Sequence, residues 1–356
     1  MSAFVIILNM KAPYEEVIMK KIISAVMICA LTALLIIPQT GCLGKTDKVT
    51  KQSFYFDTTC EITVYDMKDM SEDNAGNAID KAFKQCAKYE ELLSKTKTGS
   101  DIYKINHAGG AAVKCDPITI ECIRDGLKYC KLSGGKFDIT IGKAEDLWNF
   151  HSDNPKVPSA ASLKEAIKYV NYKQIHISGN TVTMGTTEGE IDLGGIAKGF
   201  IADKIAKYMK SIGVTSAIIS LGGNIECIGD KDGTPFSIGI EKPYSDQSEI
   251  VGSTNLTNGT VVTSGIYERY FTYKGKKYHH ILNVKTGYPV NTDVVGVSIK
   301  SSYGHSVDCD GLSTTCLILG EKKAKKLIES LKGYEAVFIL KNGDVVKTSG
   351  MDFEAE

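Results

Sequence analysis

The sequence predicts an α+β fold: one compact domain of mixed and antiparallel sheets with flanking helices. Three observations point there. Stretches of period two and stretches of helical period follow one another without a regular βαβ repeat, and no segment of the chain duplicates another. The chain closes on a hairpin signal, residues 336–340 and 345–348 about Asn342-Gly343.

Taken in order, residues 61–66 alternate as a strand, and Ile79, Ala82, Phe83, Cys86, Tyr89 and Leu93 recur at helical spacing. A second amphipathic helix spans residues 118–132, with Ile120, Ile123, Leu127 and Cys130 on one stripe, and stops at Gly134-Gly135. Residues 154–162 carry Pro and Ser and read as a loop entering a short helix. A strand at 181–184 precedes the run Asp192-Leu193-Gly194-Gly195-Ile196-Ala197-Lys198-Gly199, which opens onto a helix carrying Ile201, Ile205, Tyr208 and Ile212. Strands follow at residues 216–221, 237–241 and 294–300, then a helix at 321–332 and the closing hairpin.

At 356 residues, with 43% hydrophobic and 24% charged, the chain is ordinary globular material. Lys plus Arg equals Asp plus Glu at 42 each, so no long-range field favours nucleic acid, and any phosphate must be held by a local site. Met19-Lys20-Lys21 followed by the apolar run 22–38 reads as an export signal. It ends at Gln39-Thr40-Gly41-Cys42, which resembles a lipobox and predicts a lipid on Cys42; the alternative is a membrane anchor, for which the run is short of the ~20 residues a span needs. Either reading places the domain outside the cytoplasm. The predicted boundaries are an upstream extension at 1–18, a signal at 19–42, a polar tether at 43–52 and a single domain over 53–350. Of ten cysteines, the eight beyond the signal lack CxxC spacing and sit in apolar stretches, which predicts buried free thiols and no zinc site.

The chemistry concentrates in a few blocks. A glycine-rich turn opening onto a helix exposes backbone N–H groups and suits a phosphate, although glycines also serve plain helix-on-strand packing. Asp310 and Thr314 are four apart, which on a helix puts two oxygens on one face. Oxygen donors of this kind suit magnesium, which keeps part of its coordination for phosphate and water.

Residues 192–224 resemble the signature of the FAD:protein FMN transferases, the ApbE family. Four further blocks agree in family order: Leu93-Ser94 through Ser100-Asp101-Ile102 to Asn106; residues 135–142 with Leu147-Trp148; Thr263-Ser264-Gly265-Ile266-Tyr267 with His279-His280-Ile281 to Thr286-Gly287; and Asp310-Gly311-Leu312-Ser313-Thr314. Together they cover residues 54–340. The resemblance implies an ApbE-like (T-fold-like) catalytic domain in which Mg2+ is held by Gly195, Asp310, Ser313 and Thr314, and FAD by Phe56, Thr96, Lys136, Phe137, Asp138, Asp192, Lys198, Ser264, Gly265 and Leu282. His280 and Asp310 are the implied catalytic residues. The implied reaction is attack of an acceptor hydroxyl on the FMN-side phosphorus of FAD, with AMP leaving.

Three positions depart from the family pattern. Phe56-Asp57-Thr58 stands where Met-Gly-Thr is usual, Asn283-Val284 where Asp-Pro is usual, and Thr96 where the side chain is often aromatic. These leave two alternatives beside the transferase: a magnesium-dependent FAD pyrophosphatase and a non-catalytic flavin-binding lipoprotein. Acceptors of the family resemble Asp-x-x-Ser/Thr-Gly-Ala-Ser/Thr, which this chain lacks, so the implied partner is another protein, an electron-transport subunit or an exported flavoprotein.

Overall fold

Eight strands make one sheet in the order Val49–Tyr55, Thr58–Met67, Val214–Leu221, Asn224–Ile228, Gly259–Gly265, Val294–Ser302, Glu335–Leu340 and Val345–Lys347, and every neighbouring pair in it is antiparallel. The computed structural model describes residues 48–356, except 151, 153 and 246–248. The predicted upstream extension, export signal and lipid-bearing Cys42 lie outside the described residues. In chain order the strands are β1 (Val49–Tyr55), β2 (Thr58–Met67), β3 (Val113–Lys114), β4 (Ile175–Ser178), β5 (Thr181–Met184), β6 (Val214–Leu221), β7 (Asn224–Ile228), β8 (Phe236–Glu241), β9 (Ile250–Leu256), β10 (Gly259–Gly265), β11 (Tyr270–Tyr273), β12 (Lys276–His279), β13 (Val294–Ser302), β14 (Glu335–Leu340), β15 (Val345–Lys347) and β16 (Phe353–Ala355). The helices are α1 (Glu72–Leu93), α2 (Asp101–His107), α3 (Pro117–Leu132), α4 (Gly142–Trp148), α5 (Ala160–Ala166), α6 (Ala197–Ser211), α7 (Ser306–Leu319) and α8 (Glu321–Glu329).

The α1 helix starts where Ser71 accepts from the Asn74 N–H at 3.1 Å, and its stripe Ile79, Ala82, Phe83, Cys86, Tyr89 and Leu93 is buried as the periodicity predicts. Asp116 caps α3 through the Ile118 N–H, with Pro117 in the first turn. Helices α1, α6 and α7 pack on one face of the large sheet, against residues such as Ile62, Ala217, Ile219 and Val297. The opposite face, through Cys227 and Val261, packs on the small sheet β16-β9-β8 with Phe236, Ile238 and Leu256. A satellite cluster of Trp148, Leu163, Ala166 and Leu282 braces α4 and α5, and the Trp148 indole N–H donates to the Gly287 carbonyl at 2.8 Å.

Two boundaries shift. The segment read as a tether to residue 52 instead supplies the start of β1, because Val49–Gln52 pair with β2 and Lys51 reaches from the strand to Asp80 and the Gly76 carbonyl. The body also continues past residue 350, since β16 pairs with β9. All eight described cysteines are free and buried. No described helix is long and apolar enough to cross a membrane.

Candidate active site

The glycine turn is bent onto α7 by contacts only glycine permits. A β-carbon at Gly195 would lie 2.8 Å from the Phe137 ring and 3.5 Å from Thr314 Oγ1, so the turn's backbone rests against both. At Gly199, in the first turn of α6, a β-carbon would meet the Ser306 carbonyl oxygen at 2.2 Å and Asp310 Cβ at 2.7 Å. That close approach lets the Gly199 N–H donate to Asp310 Oδ2 at 2.9 Å, and the positive end of α6 faces the carboxylate. Asp310 therefore sits inside a helix with one oxygen fixed, rather than capping its start.

These groups open on a cavity of about 790 Å3, the volume of a small-molecule site. Phe56, Thr96, Lys136, Phe137, Asp138, Asp192, Gly195, Lys198, Ser264, His280, Leu282, Asp310 and Thr314 all line it. The structure does not bring Gly265 or Ser313 to its wall. The Gly265 N–H donates to Glu268 at 2.8 Å. Ser313 is fully buried and donates to the Asp310 carbonyl one turn back, at 2.9 Å, so the 2.7 Å contact with Ser264 is donated by Ser264. Gly195, Asp310 and Thr314 are left as the predicted metal donors that face the cavity. Asp138 lines it too, but both its oxygens accept local hydrogen bonds, from Thr140 at 2.9 and 2.7 Å and from the Tyr172 N–H at 3.0 Å.

Phe56 reaches the cavity from a two-residue turn between β1 and β2 in which Phe56 and Asp57 both have positive φ, 55° and 57°. A bulky residue rarely adopts that backbone; here the Phe56 N–H donates to Glu90 at 2.7 Å, and Glu90 also pairs with Lys97.

His280 is anchored by its ring and its backbone to one atom. The Arg269 carbonyl accepts from the His280 N–H at 3.1 Å and lies 3.2 Å from Nδ1, and because a carbonyl only accepts, Nδ1 carries the proton and Nε2 is the bare nitrogen. Burial, then the Arg269 cation, push this histidine down to about 3. The imidazole is neutral at physiological pH.

Sequence reasoning missed several wall residues: Glu90, Lys95, Glu145, Asp146, Glu268 and Arg269. Lys95 is 2.8 Å from Asp192, 2.6 Å from Asp146 and 3.8 Å from Glu145. Burial alone would raise Asp192, but Lys95 and a hydrogen bond from Glu145 hold it below the carboxylate range. Burial and the adjoining Asp192 push Glu145 up. The two carboxyls titrate as a pair, and Lys95 draws its negative charge toward Asp192. Asp192 in turn accepts from the Gly194 N–H at 2.6 Å, tying this cluster to the glycine turn.

A cavity this size, with hard oxygen donors and a helix N-terminus on one wall and apolar surface on others, defines an enzyme site for a ligand as large as a nucleotide. The chain belongs to the ApbE family, whose description matches residues 56–338. It is similar to the FAD:protein FMN transferase of Treponema pallidum, with 31% identity over 343 residues that cover 92% of this chain and 93% of that protein. An FAD:protein FMN transferase of Klebsiella pneumoniae is 31% identical over 276 residues, covering 76% of this chain and 84% of that protein. Among solved structures, the ApbE protein of Thermotoga maritima superposes with a TM-score of 0.77 at 28% identity, covering 84% of this chain and 96% of that one. The flavin transferase ApbE of Vibrio cholerae shares the fold with a TM-score of 0.72 at 24% identity, covering 85% and 97%.

Proposed function

We propose that this protein is a magnesium-dependent FAD:protein FMN transferase, which moves the FMN half of FAD to a serine or threonine hydroxyl of an acceptor protein and releases AMP. The observation that carries the reading is the meeting of Asp310, Thr314 and Gly195 at one cavity wall.

Charge on that wall supports a divalent cation. Even leaving out Glu145, which burial and Asp192 push up, its carboxylates Asp57, Glu90, Asp138, Asp146, Asp192, Glu268 and Asp310 outnumber its cations, Lys95, Lys97, Lys136, Lys198 and Arg269. A diphosphate entering there needs more positive charge than the protein offers. The donors present fit magnesium and not zinc: one carboxylate, one hydroxyl and a backbone carbonyl are hard oxygens, and no described group of three or more His, Cys, Asp or Glu could hold a metal. Asp310, Thr314 and the Gly195 carbonyl would hold Mg2+, which when bound supplies charge neutralisation at the diphosphate.

The chain's own groups do the rest. Lys198, at the start of α6, adds a point charge beside the phosphates. The bare Nε2 of His280 accepts the proton of the attacking hydroxyl, and the anionic diphosphate offsets the Arg269 and Lys198 cations that weaken this base. Phe56 and Phe137 add aromatic surface to the cavity wall, which suits a planar ligand. The export signal and lipobox-like Cys42 support a lipid-tethered protein acting outside the cytoplasm.

Incubation with FAD, magnesium and an acceptor protein is expected to give AMP and a covalently fluorescent acceptor. Asp310→Ala should lower AMP release by about 100-fold or more while the protein stays folded. Unchanged AMP release in that variant would leave only a flavin-binding role. One observation favours a second reading, hydrolysis of FAD to FMN and AMP: Thr96 is small and turned onto Ser94 at 3.1 Å, so the wall there lacks a ring. Free FMN formed without an acceptor would identify that activity.

A further inference from the structure

The strands β11 and β12 stand apart from the other sheets. They pair only with each other among the described residues, in register from Tyr270 with His279 to Tyr273 with Lys276, so each keeps an outer edge of unpaired backbone. The turn is two residues long, Lys274 and Gly275, both at positive φ (49° and 75°), which fits the twist of a tight hairpin. Phe271 and Tyr278 anchor it inward, 6.2 and 5.3 Å from the Trp148 ring. Tyr270 and Tyr273 are 41% and 46% exposed, and Lys274, Lys276 and Lys277 are exposed with them; Tyr270 and Lys277 lie on the face away from Phe271 and Tyr278, Tyr273 and Lys276 on the same face as that pair but nearer the turn.

These three lysines meet no carboxylate among the described residues. Each lies over a tyrosine instead, Lys277 at 3.7 Å from the Tyr244 ring centre, Lys276 at 5.1 Å from Tyr278 and Lys274 at 5.4 Å from Tyr273. The result is positive charge and aromatic surface on both faces of the hairpin, flanking a free strand edge. Its base is the reaction site: Arg269 and His280, which line the cavity, are the residues that enter and leave the hairpin, and Phe150 on the cavity wall packs against Phe271 at 5.6 Å.

We infer that this hairpin is the docking surface for the acceptor protein, and that its occupant is an extended, carboxylate-rich segment that adds along the open edge and delivers its hydroxyl to His280. This rests on the transferase reading. Charge selects the occupant, because three ammonium groups that meet no carboxylate among the described residues favour a segment that brings carboxylates. The unpaired edge selects its conformation, since an added strand satisfies backbone groups that a folded surface would leave to water. An anionic membrane would use the same lysines and tyrosines but has no use for the edge.

The test uses a fluorescein-labelled peptide with the core Asp-Ala-Ala-Ser-Gly-Ala-Thr flanked by glutamates, and a second with the same core flanked by lysines. Anisotropy reads binding to the protein without FAD; mass analysis with FAD and magnesium reads flavin transfer. The acidic peptide is expected to bind more tightly, with affinity falling as salt rises, and the K274E/K276E/K277E variant should lose about tenfold or more. The K274Q/K276Q/K277Q variant should fall between, and both should keep the wild-type KM for FAD, which reports an intact fold and pocket. Equal affinity for the two peptides, or undiminished binding by the charge-reversed variant, overturns the proposal. So does a loss confined to binding of phosphatidylglycerol vesicles. Binding of the acidic peptide through these lysines without flavin reaching its hydroxyl keeps the docking surface and removes the transferase reading.

Discussion

Lys95 holds together three carboxylates that come from two distant segments, and its side chain is only 19% exposed. Burial alone would weaken its charge, but Asp192, Glu145 and Asp146 raise its pKa instead. Removing the cation leaves the Asp192 charge beside Glu145 and Asp146 and loosens the acceptor of the Gly194 N–H. Lys95→Met is therefore expected to cost about 2 kcal/mol of stability, less than a dry buried pair because water reaches the cluster, and to raise the KM for FAD about tenfold. Lys95→Arg should recover most of both, whereas equal KM values for wild type and Lys95→Met would show that the cluster does not position the turn. The contrast with Asp310 is instructive. Asp310 and Thr314 were legible because a four-residue spacing puts two oxygens on one helix face, and Gly195 because its block resembles the family signature. Lys95, Glu145 and Arg269 read as ordinary surface charges, since their partners arrive only through the fold.

At the scale of elements, the site depends on how closely α6 and α7 approach. Gly199 sets that distance, and its obstacles are a backbone oxygen and a β-carbon, neither of which can swing aside. Gly199→Ala is expected to cost about 3 kcal/mol, measured as a lower urea midpoint, because the helices must separate and Asp310 loses its 2.9 Å hydrogen bond. Gly76→Ala is the control: its β-carbon would meet only the flexible end of Lys51, at 3.3 Å, and should leave stability unchanged or raise it. An equal loss in both variants would rule out the close approach as the cause. The helices were readable in advance because α1, α3 and α6 each bury an apolar stripe of helical period. The start of β1 was not. It is an edge strand whose half-buried face carries Lys51 and Ser53 and whose outer face leaves Phe54 68% exposed, so no apolar alternation marks it.

Over the whole molecule, buried ionisable groups make stability fall in both directions of pH. Burial pushes His279 down to about 4 and His280 to about 3, against an ordinary 6.5. Their stabilisation is present above pH 6.5 and is lost as acid forces protons onto the unfolded chain first. The carboxyls under the start of α7 act with the opposite sign. Asp203 accepts from the Ser306 and Val307 N–H groups at 2.9 Å each, yet burial raises it to about 6. Glu226 is wholly buried, with one oxygen accepting from the Gly304 N–H at 3.0 Å and the other unpartnered, and burial holds it well above its ordinary range. Both keep protons that the unfolded chain releases, so their contribution is complete below the unfolded values and is lost as pH rises through the folded ones. Glu226→Gln preserves the acceptor for Gly304 and removes the titration. Urea midpoints of variant and wild type should lie close together near about pH 5, and the variant should pull ahead by a margin that widens toward about pH 9. Parallel profiles across that range would mean that Glu226 is ionised in the folded protein and that its buried oxygens have found a counter-charge.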